Sequence, residues 1–468
     1  MKNKLLITSL IISTLFFAVA YAAELINSSD VSFSNGLSGL KANNVQDAIN
    51  ELYDKTVSDS SCKNVSAPKL AEGLVPVTIE NNGTVKYADT TKSWYNYCDK
   101  RWANAVILED GASYSVGDTI QESDIQSYFV WIPKYKYKLW NVDVAVENAH
   151  EIDIVFDETD TTDIEGVSCK TPLVSGESGN CNNGEYMTHP AFISMGVNGF
   201  WVGKFETGYK GATSVATSQV NANDTSKIII KPNVYSWRNI TIKNIFETSY
   251  NYKRNLDSHM MKNTEWGAVA YLSHSKYGIN TEININNNSS YKTGYSALPS
   301  TNQQTYPGTS GDGDSYNSAY NTTTGYKAST TGNMSGIYDM SGGCVEYMSS
   351  YITGKLGSSG FSTTTLANYD SKYIDTYNAS SAISTYQYRI LGDATGEMGP
   401  FNNYVDGDNI SRWHSNWYDD YSNFVEATYP WFNRGSRYGD GSVAGIFAYT
   451  RFTGGTDARV GFRIVLTP

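Results

Sequence analysis

Charge is scarce in this chain. Only 18% of its 468 residues are Asp, Glu, Lys or Arg, and the balance is acidic, with a formal net charge of −12. Such a surface repels phosphate backbones and anionic lipid headgroups, so nucleic acid is not an expected partner. Histidine is nearly absent. The five residues at 150, 189, 259, 274 and 414 include no pair four apart and no H-E-x-x-H spacing, and each reads as an ordinary core or surface side chain. The chain has no Walker phosphate loop, no dinucleotide fingerprint and no G-x-S-x-G elbow. Asp312-Gly313-Asp314 lacks the later Glu of a calcium loop and reads as a turn. Cysteine is also sparse, and none follows Cys344. Beyond the first residues there is no long apolar run, so no further membrane span is expected.

What is abundant is tyrosine and glycine, 36 and 40 residues respectively, with many Asn, Ser and Thr. This composition favours short strands and polar loops over long helices. Hydrophobic residues still make up 40%, enough for a substantial core.

The first residues carry Lys2 and Lys4, an apolar run from Leu5 to Val19, and the small-x-small motif Ala20-Tyr21-Ala22. Residues 1–22 are therefore expected to be a signal peptide, or an uncleaved anchor that would be the only contact with a membrane. Export implies a secreted or cell-surface location. In an oxidising compartment Cys169 and Cys181 could staple a Gly/Ser/Asn-rich loop, and Cys62 and Cys98 could close a small module; free buried thiols are the alternative for each.

Residues 23–60 hold one amphipathic stretch, K-A-N-N-V-Q-D-A-I-N-E-L-Y-D-K. Asn43 and Gln46 are spaced as a capping box, and Val45, Ala48, Ile49, Leu52 and Tyr53 share a helical face. The segment resembles V-Q-D-A-x-x-E-L modules of phage fibres and bacterial surface stalks, which implies a stalk and a homo-oligomer through it; a helix folded on its own domain is the alternative. Residues 61–127 read as a small β-rich module, with a hairpin formed by L-V-P-V-T-I-E, Asn81-Asn82-Gly83 and T-V-K-Y. Residues 128–468 read as one large domain. Within it, Ser300 to Gly332 is polar enough to be a long surface excursion.

Four segments in order resemble one family. Phe129-Val-Trp-Ile-Pro133, Gly199-Phe-Trp-Val-Gly-Lys-Phe-Glu-Thr207, His259-Met-Met-Lys-Asn-Thr-Glu-Trp266 and Gly336-Ile-Tyr-Asp-Met-Ser-Gly-Gly-Cys-Val-Glu-Tyr347 are similar to motifs of the formylglycine-generating enzymes, or sulfatase-modifying factors. These share a variant of the C-type lectin fold. The resemblance implies an α+β, C-type-lectin-like domain with Tyr338 and Met340 in its core, a turn at the Gly pair, and Glu346 facing backbone amides or a calcium ion. Gly343 stands where the family has Asn, and Val345 and Tyr347 replace two Trp, which weakens the calcium expectation; no other cofactor is implied. The closing run contains Arg434-Gly435-Ser436, Ala444-Gly445-Ile446-Phe447 and Gly461-Phe462-Arg463, similar to the family's last strands. Val460, Phe462, Ile464 and Leu466 alternate as one buried sheet face would.

Three function classes compete. Formylglycine generation, as known for the family, uses a cysteine pair near the carboxy-terminal end to hold copper, and a chain without cysteine after Cys344 cannot supply it. An enzyme of this family is thus the weaker reading. A structural surface or phage tail component fits the stalk. The favoured reading is an exported, non-catalytic adhesin or receptor-binding protein. Its carboxy-terminal segment resembles the ligand-binding region of lectin-like variable proteins of diversity-generating retroelements. The candidate ligand-binding residues are Arg437, Tyr438, Asp440, Ser442, Tyr449, Arg451, Phe452, Thr453, Asp457 and Arg459. Tyr with small adaptable neighbours suits recognition, and Arg supplies charge-assisted hydrogen bonds to a protein or glycan on a cell or virion surface.

Overall fold

The computed structural model describes residues 31–32, 43–49, 62, 64–140, 149–158, 184–297, 317–377 and 417–468. Residues 1–22, expected as a signal segment, most of residues 23–60, expected as a stalk, Cys169, Cys181, Asp312 to Asp314 and His414 lie outside the described residues. The chain divides into two compact units, Met1–Lys63 and Asn64–Pro468. In the first, residues 45–49 are helical. The cap is Asn44 rather than Asn43: its Oδ1 accepts from the Asp47 amide at 2.7 Å and its Nδ2 donates to the Asp47 carboxylate at 2.8 Å. Asn and Asp are the stronger local competitors for free amides at a helix start, which moves the box by one residue. Cys62 and Cys98 are both disulfide-bonded.

The second unit is mixed α+β. Its larger sheet contains β1 (Val75–Ile79), β2 (Val85–Tyr87), β3 (Asn104–Leu108), β4 (Thr119–Ile120), β5 (Ile125–Pro133), β6 (Gly199–Gly203), β7 (His259–Met260) and a last strand, β13 (Ile464–Leu466). The order is β7-β13-β6-β5-β3-β1-β2-β4. The expected hairpin is there: β1 and β2 pair antiparallel with Ile79 opposite Val85, around a turn in which Gly83 takes φ +89°. Strand β5 is central and buried along almost its whole length, because both faces are covered. Across it Trp131 and Trp201 pack with centroids 5.3 Å apart. Burying a side chain of this size contributes about 2–3 kcal/mol.

Residues 61–127 do not form a module of their own. Strands β1 to β4 belong to the same sheet as β5 and β6, and the boundary at 127/128 falls inside β5. An edge strand needs a partner for its amides, and β5 provides it to β3 over five residue pairs.

The smaller sheet holds β8 (Val345–Ile352), β9 (Asp375–Tyr377), β10 (Trp431–Arg434), β11 (Tyr449–Phe452) and β12 (Val460–Phe462). Strand β10 lies antiparallel along one edge of β8, and β12 and β9 run parallel to β8 on the other. Strand β11 continues outward from β10. The alternation of Val460, Phe462, Ile464 and Leu466 does not mark one face of one sheet. Residues 460–462 pair in the smaller sheet and 464–466 in the larger, and Gly461, Arg463 and Val465 are buried as well.

Two eleven-residue helices are the longest among the described residues of this unit. Helix α1 (Ile242–Tyr252) is capped by Thr241 and buries Ile242, Ile245, Phe246, Ser249 and Tyr252, one face at helical spacing. Helix α2 (Asn263–Ser273) is buried on every side, and the Trp266 indole donates to the Ile446 carbonyl at 2.8 Å. Tyr338 and Met340 are fully buried, as expected, and Gly342 and Gly343 take φ of +73° and +68°. A β-carbon on Gly343 would stand 2.3 Å from a Glu206 carboxylate oxygen, so this position accepts no side chain without rearrangement. Of the stretch from Ser300 to Gly332, residues 300–316 lie outside the described residues, and the remainder is no plain excursion. Residues 317–319 pair with 295–297, and Ala328 to Thr331 are buried.

Candidate functional site

Strand parity divides the candidate residues. On β11, Thr450 and Phe452 project to one side and Tyr449 and Arg451 to the other. Tyr449 is 1% exposed and belongs to the core, so it cannot be a contact residue. Arg451 turns to an ion pair with Glu426 at 2.8 Å, donates to the Phe424 carbonyl at 3.2 Å, and lies over the Tyr429 ring. These two residues leave the expected set for a simple reason. Sequence spacing ranks them with Phe452, but the pleat sends neighbours to opposite faces.

The other side gathers most of the remainder. Phe452 meets the Tyr347 ring edge-on at 6.2 Å, and the Arg459 guanidinium lies 5.9 Å from its centroid. Arg459 holds Asp457 through two charge-assisted bonds, Nε to Oδ1 at 2.9 Å and Nη2 to Oδ2 at 2.6 Å. Burial alone would raise the Asp457 carboxyl, but the Arg459 bonds and the Arg437 charge outweigh it and hold it below its ordinary value. Arg437 and Asp440 form a second local pair, Nε to Oδ1 at 2.6 Å, in the turn that follows β10. Ser442 lies part-exposed in the short 3-10 turn just after it, and Thr453 is part-exposed with its carbonyl accepting from the Ser358 amide at 2.7 Å.

Tyr438 leads to a residue that sequence reasoning missed. Its ring stands edge-on to Tyr291 at 4.9 Å, and the Arg238 guanidinium lies 4.1 Å from the Tyr291 centroid. Arg238 in turn donates to the carbonyls of Ala458 and Val215. Tyr291 takes φ +51°, a left-handed conformation that costs a bulky residue of order 1 kcal/mol. Nothing in the run Asn286-Asn287-Asn288-Ser289-Ser290-Tyr291 marks it, since the contact depends on chain segments that meet only in the folded state.

A buried polar cluster adjoins this face. Glu346 does not face backbone amides; its carboxylate is bound by Arg463, Nη2 to Oε1 at 2.5 Å and Nε to Oε2 at 3.1 Å, with both side chains fully buried. Arg463 also donates to the carbonyls of Gly203 at 2.7 Å and Tyr338 at 3.0 Å, and so pins the step from β12 to β13. The amide-facing carboxylate is Glu206, which accepts from the Cys344 amide at 2.7 Å and meets the Ser236 hydroxyl. Asp339 accepts from the Gly294 amide at 2.9 Å and from the Asn286 side chain at 3.0 Å.

Burial pushes all three carboxyls up. Asp339 rises to about 6 against the pull of Arg463, and Glu346 to about 7 against the same guanidinium. Glu206 is raised well above its ordinary value: burial and the charges of Asp339 and Glu346 all act in one direction, opposed by hydrogen bonds to Ser236 and Cys344. Cys344 is a free, buried thiol, itself pushed well up by burial and then by Glu206. Among the described residues no group of three His, Cys, Asp or Glu is arranged to hold a metal ion, and no helix is long and apolar enough to cross a membrane. The histidines are buried at 189, 259 and 274 and exposed at 150. His259 pairs with Glu265 at 2.8 Å, and His274 meets the Tyr418 hydroxyl at 2.9 Å.

No protein-family model matches this chain, and no curated protein matches it.

Proposed function

We propose that this is an exported, non-catalytic binding protein that uses the carboxy-terminal face of a C-type-lectin-like domain to hold a protein or glycan on a cell or virion surface, with the amino-terminal segment serving as stalk or anchor. The observation that carries the reading is a chain of contacts: Tyr438 stands edge-on to Tyr291, the charges of Arg437 and Arg459 reach Tyr291, and Arg459 joins Phe452 to Asp457. Their charges are already paired locally, at Arg437–Asp440 and Asp457–Arg459. Such pairs keep a part-exposed surface neutral while leaving donors free to turn toward a ligand, and Tyr438 adds rigid contact area.

The test is capture on a glycan and surface-protein array by the wild-type chain and by the triple variant Arg437→Ala, Tyr438→Ala, Arg459→Ala. Capture by the wild type that disappears in the variant, at an unchanged melting temperature, is the expected result. A variant that captures as well as wild type, or a wild type that captures nothing, would overturn the reading.

A further inference from the structure

Ser236 poses a counting problem. Its single hydroxyl proton lies within reach of the Glu206 carboxyl and the Tyr291 carbonyl, the latter at 3.0 Å, and the Cys344 thiol reaches both Ser236 and Glu206. A serine hydroxyl donates once and accepts twice. Two full hydrogen bonds, in place of one proton shared between both acceptors, require Glu206 to supply a proton, as a carboxylic acid donating to Ser236 Oγ. Ser236 then donates onward to Tyr291. If Glu206 is ionised, the hydroxyl turns to the carboxylate, and the Tyr291 carbonyl keeps only the Ser236 backbone amide as donor, at 3.0 Å.

The surroundings favour the acid form. Asp339 and Glu346 both repel a charge on Glu206. Arg463, the guanidinium in the cluster, is bound to Glu346 and to backbone carbonyls. Arg238 faces Tyr291 and Cys344 and donates to backbone carbonyls and Ser218. Lys204 is occupied by Asn104 and the carbonyls of Met334 and Gly336. The Cys344 thiol, next to Glu206, is itself disfavoured as an anion.

The receiving end is poised to respond. Tyr291 is held in a left-handed conformation at the end of this relay, and its ring supports Tyr438. The same turn is tied to the cluster again through Asn286, whose amide donates to Asp339 at 3.0 Å and to the Lys292 carbonyl at 3.0 Å.

We infer that Glu206 is a protonation switch for the carboxy-terminal face: a proton on its carboxyl lets Ser236 fix the Tyr291 turn, and loss of that proton frees the turn and the Tyr438 contact it supports. The step moves one proton and forms no covalent bond. That the switch governs ligand binding rests on the function proposed above; that it governs the turn does not.

Hydrogen exchange on the full chain tests the turn directly. After correction for intrinsic rates, wild-type amides of residues 288–294 should open about fivefold more often near pH 9 than near pH 6, the effect of losing one hydrogen bond. Glu206→Gln should stay slow at both, because its amide donates to Ser236 while its carbonyl accepts from Cys344. Ser236→Ala should be fast at both. If Glu206→Gln does not fold, Ser236→Ala carries the test, since a turn governed by this relay loses its pH dependence when the hydroxyl is removed. Equal protection of the wild-type turn at both pH values, or a pH dependence that survives in Ser236→Ala, overturns the switch and leaves the binding proposal standing. Failure of the array experiment would do the reverse.

Discussion

Two carboxylate–arginine pairs in this protein look alike on paper and differ in consequence. Glu346–Arg463 is fully buried where the chain steps between the two sheets; Asp457–Arg459 lies on the carboxy-terminal face with side chains 18% and 45% exposed. The first is dry, so neither partner can be removed without stranding a charge. The second is wetted and local, two residues apart in sequence, and water replaces whatever is lost. Position, rather than chemistry, makes one a joint of the fold and leaves the other at the solvent boundary.

The comparison can be broken most severely from the buried side. Arg463→Met should cost about 3–5 kcal/mol in denaturant unfolding, because Glu346 is left without its cation. Adding Glu346→Leu should recover most of that loss. A single variant as stable as wild type would place the pair outside the core. Tyr449→Ala, at a position that sequence spacing offers as a contact, should also cost about 3–5 kcal/mol as a large-to-small core change. A fully stable variant with altered ligand capture would return it to the binding face.

A pH profile sharpens the contrast at intermediate size. The raised carboxyls stabilise the fold most below their unfolded values near 4 to 4.5, and that contribution is lost as pH rises through their folded values, about 6 for Asp339 and about 7 for Glu346, with Glu206 raised in the same direction. Buried His189 and His274 have the opposite sign. Burial lowers them to about 3 and about 4, so their contribution is complete above 6.5 and lost as pH falls toward those values. Above pH 6.5 only the carboxyl slope remains among these groups, and the melting temperature should decline from there into the alkaline range, less steeply in Glu206→Gln. A flat alkaline limb in the wild type would mean that Glu206 is ionised throughout. The smallest effect belongs to the exposed pair: Asp457→Asn should change stability by less than about 1 kcal/mol, and a larger loss in thermal unfolding would show that this face is structural.

Local features were legible where local physics decides them. The hairpin at Asn81 to Gly83, the turn at Gly342 and Gly343 and the burial of Tyr338 and Met340 follow from turn chemistry and apolar pattern, or from the motifs that carry the family resemblance. The helix cap lies one residue later than expected because Asn44 finds Asp47 three residues on, where Asn43 finds Gln46. The candidate face was half legible. Arg437, Tyr438, Asp440, Asp457 and Arg459 lie together, but Tyr449 and Arg451 project away from Phe452.

The sequence alone determined the mixed α+β character, the scarcity of charge, the single free cysteine in the final third, and which short segments turn or bury. These depend on residues within a few positions of each other, or on totals. The tertiary structure decided the rest: that residues 61–127 share a sheet with the larger domain, that Arg463 rather than a backbone amide meets Glu346, and that Tyr291 stands under Tyr438. Each of these joins segments far apart in the chain, and no local spacing encodes which buried charge will find which partner once water is excluded.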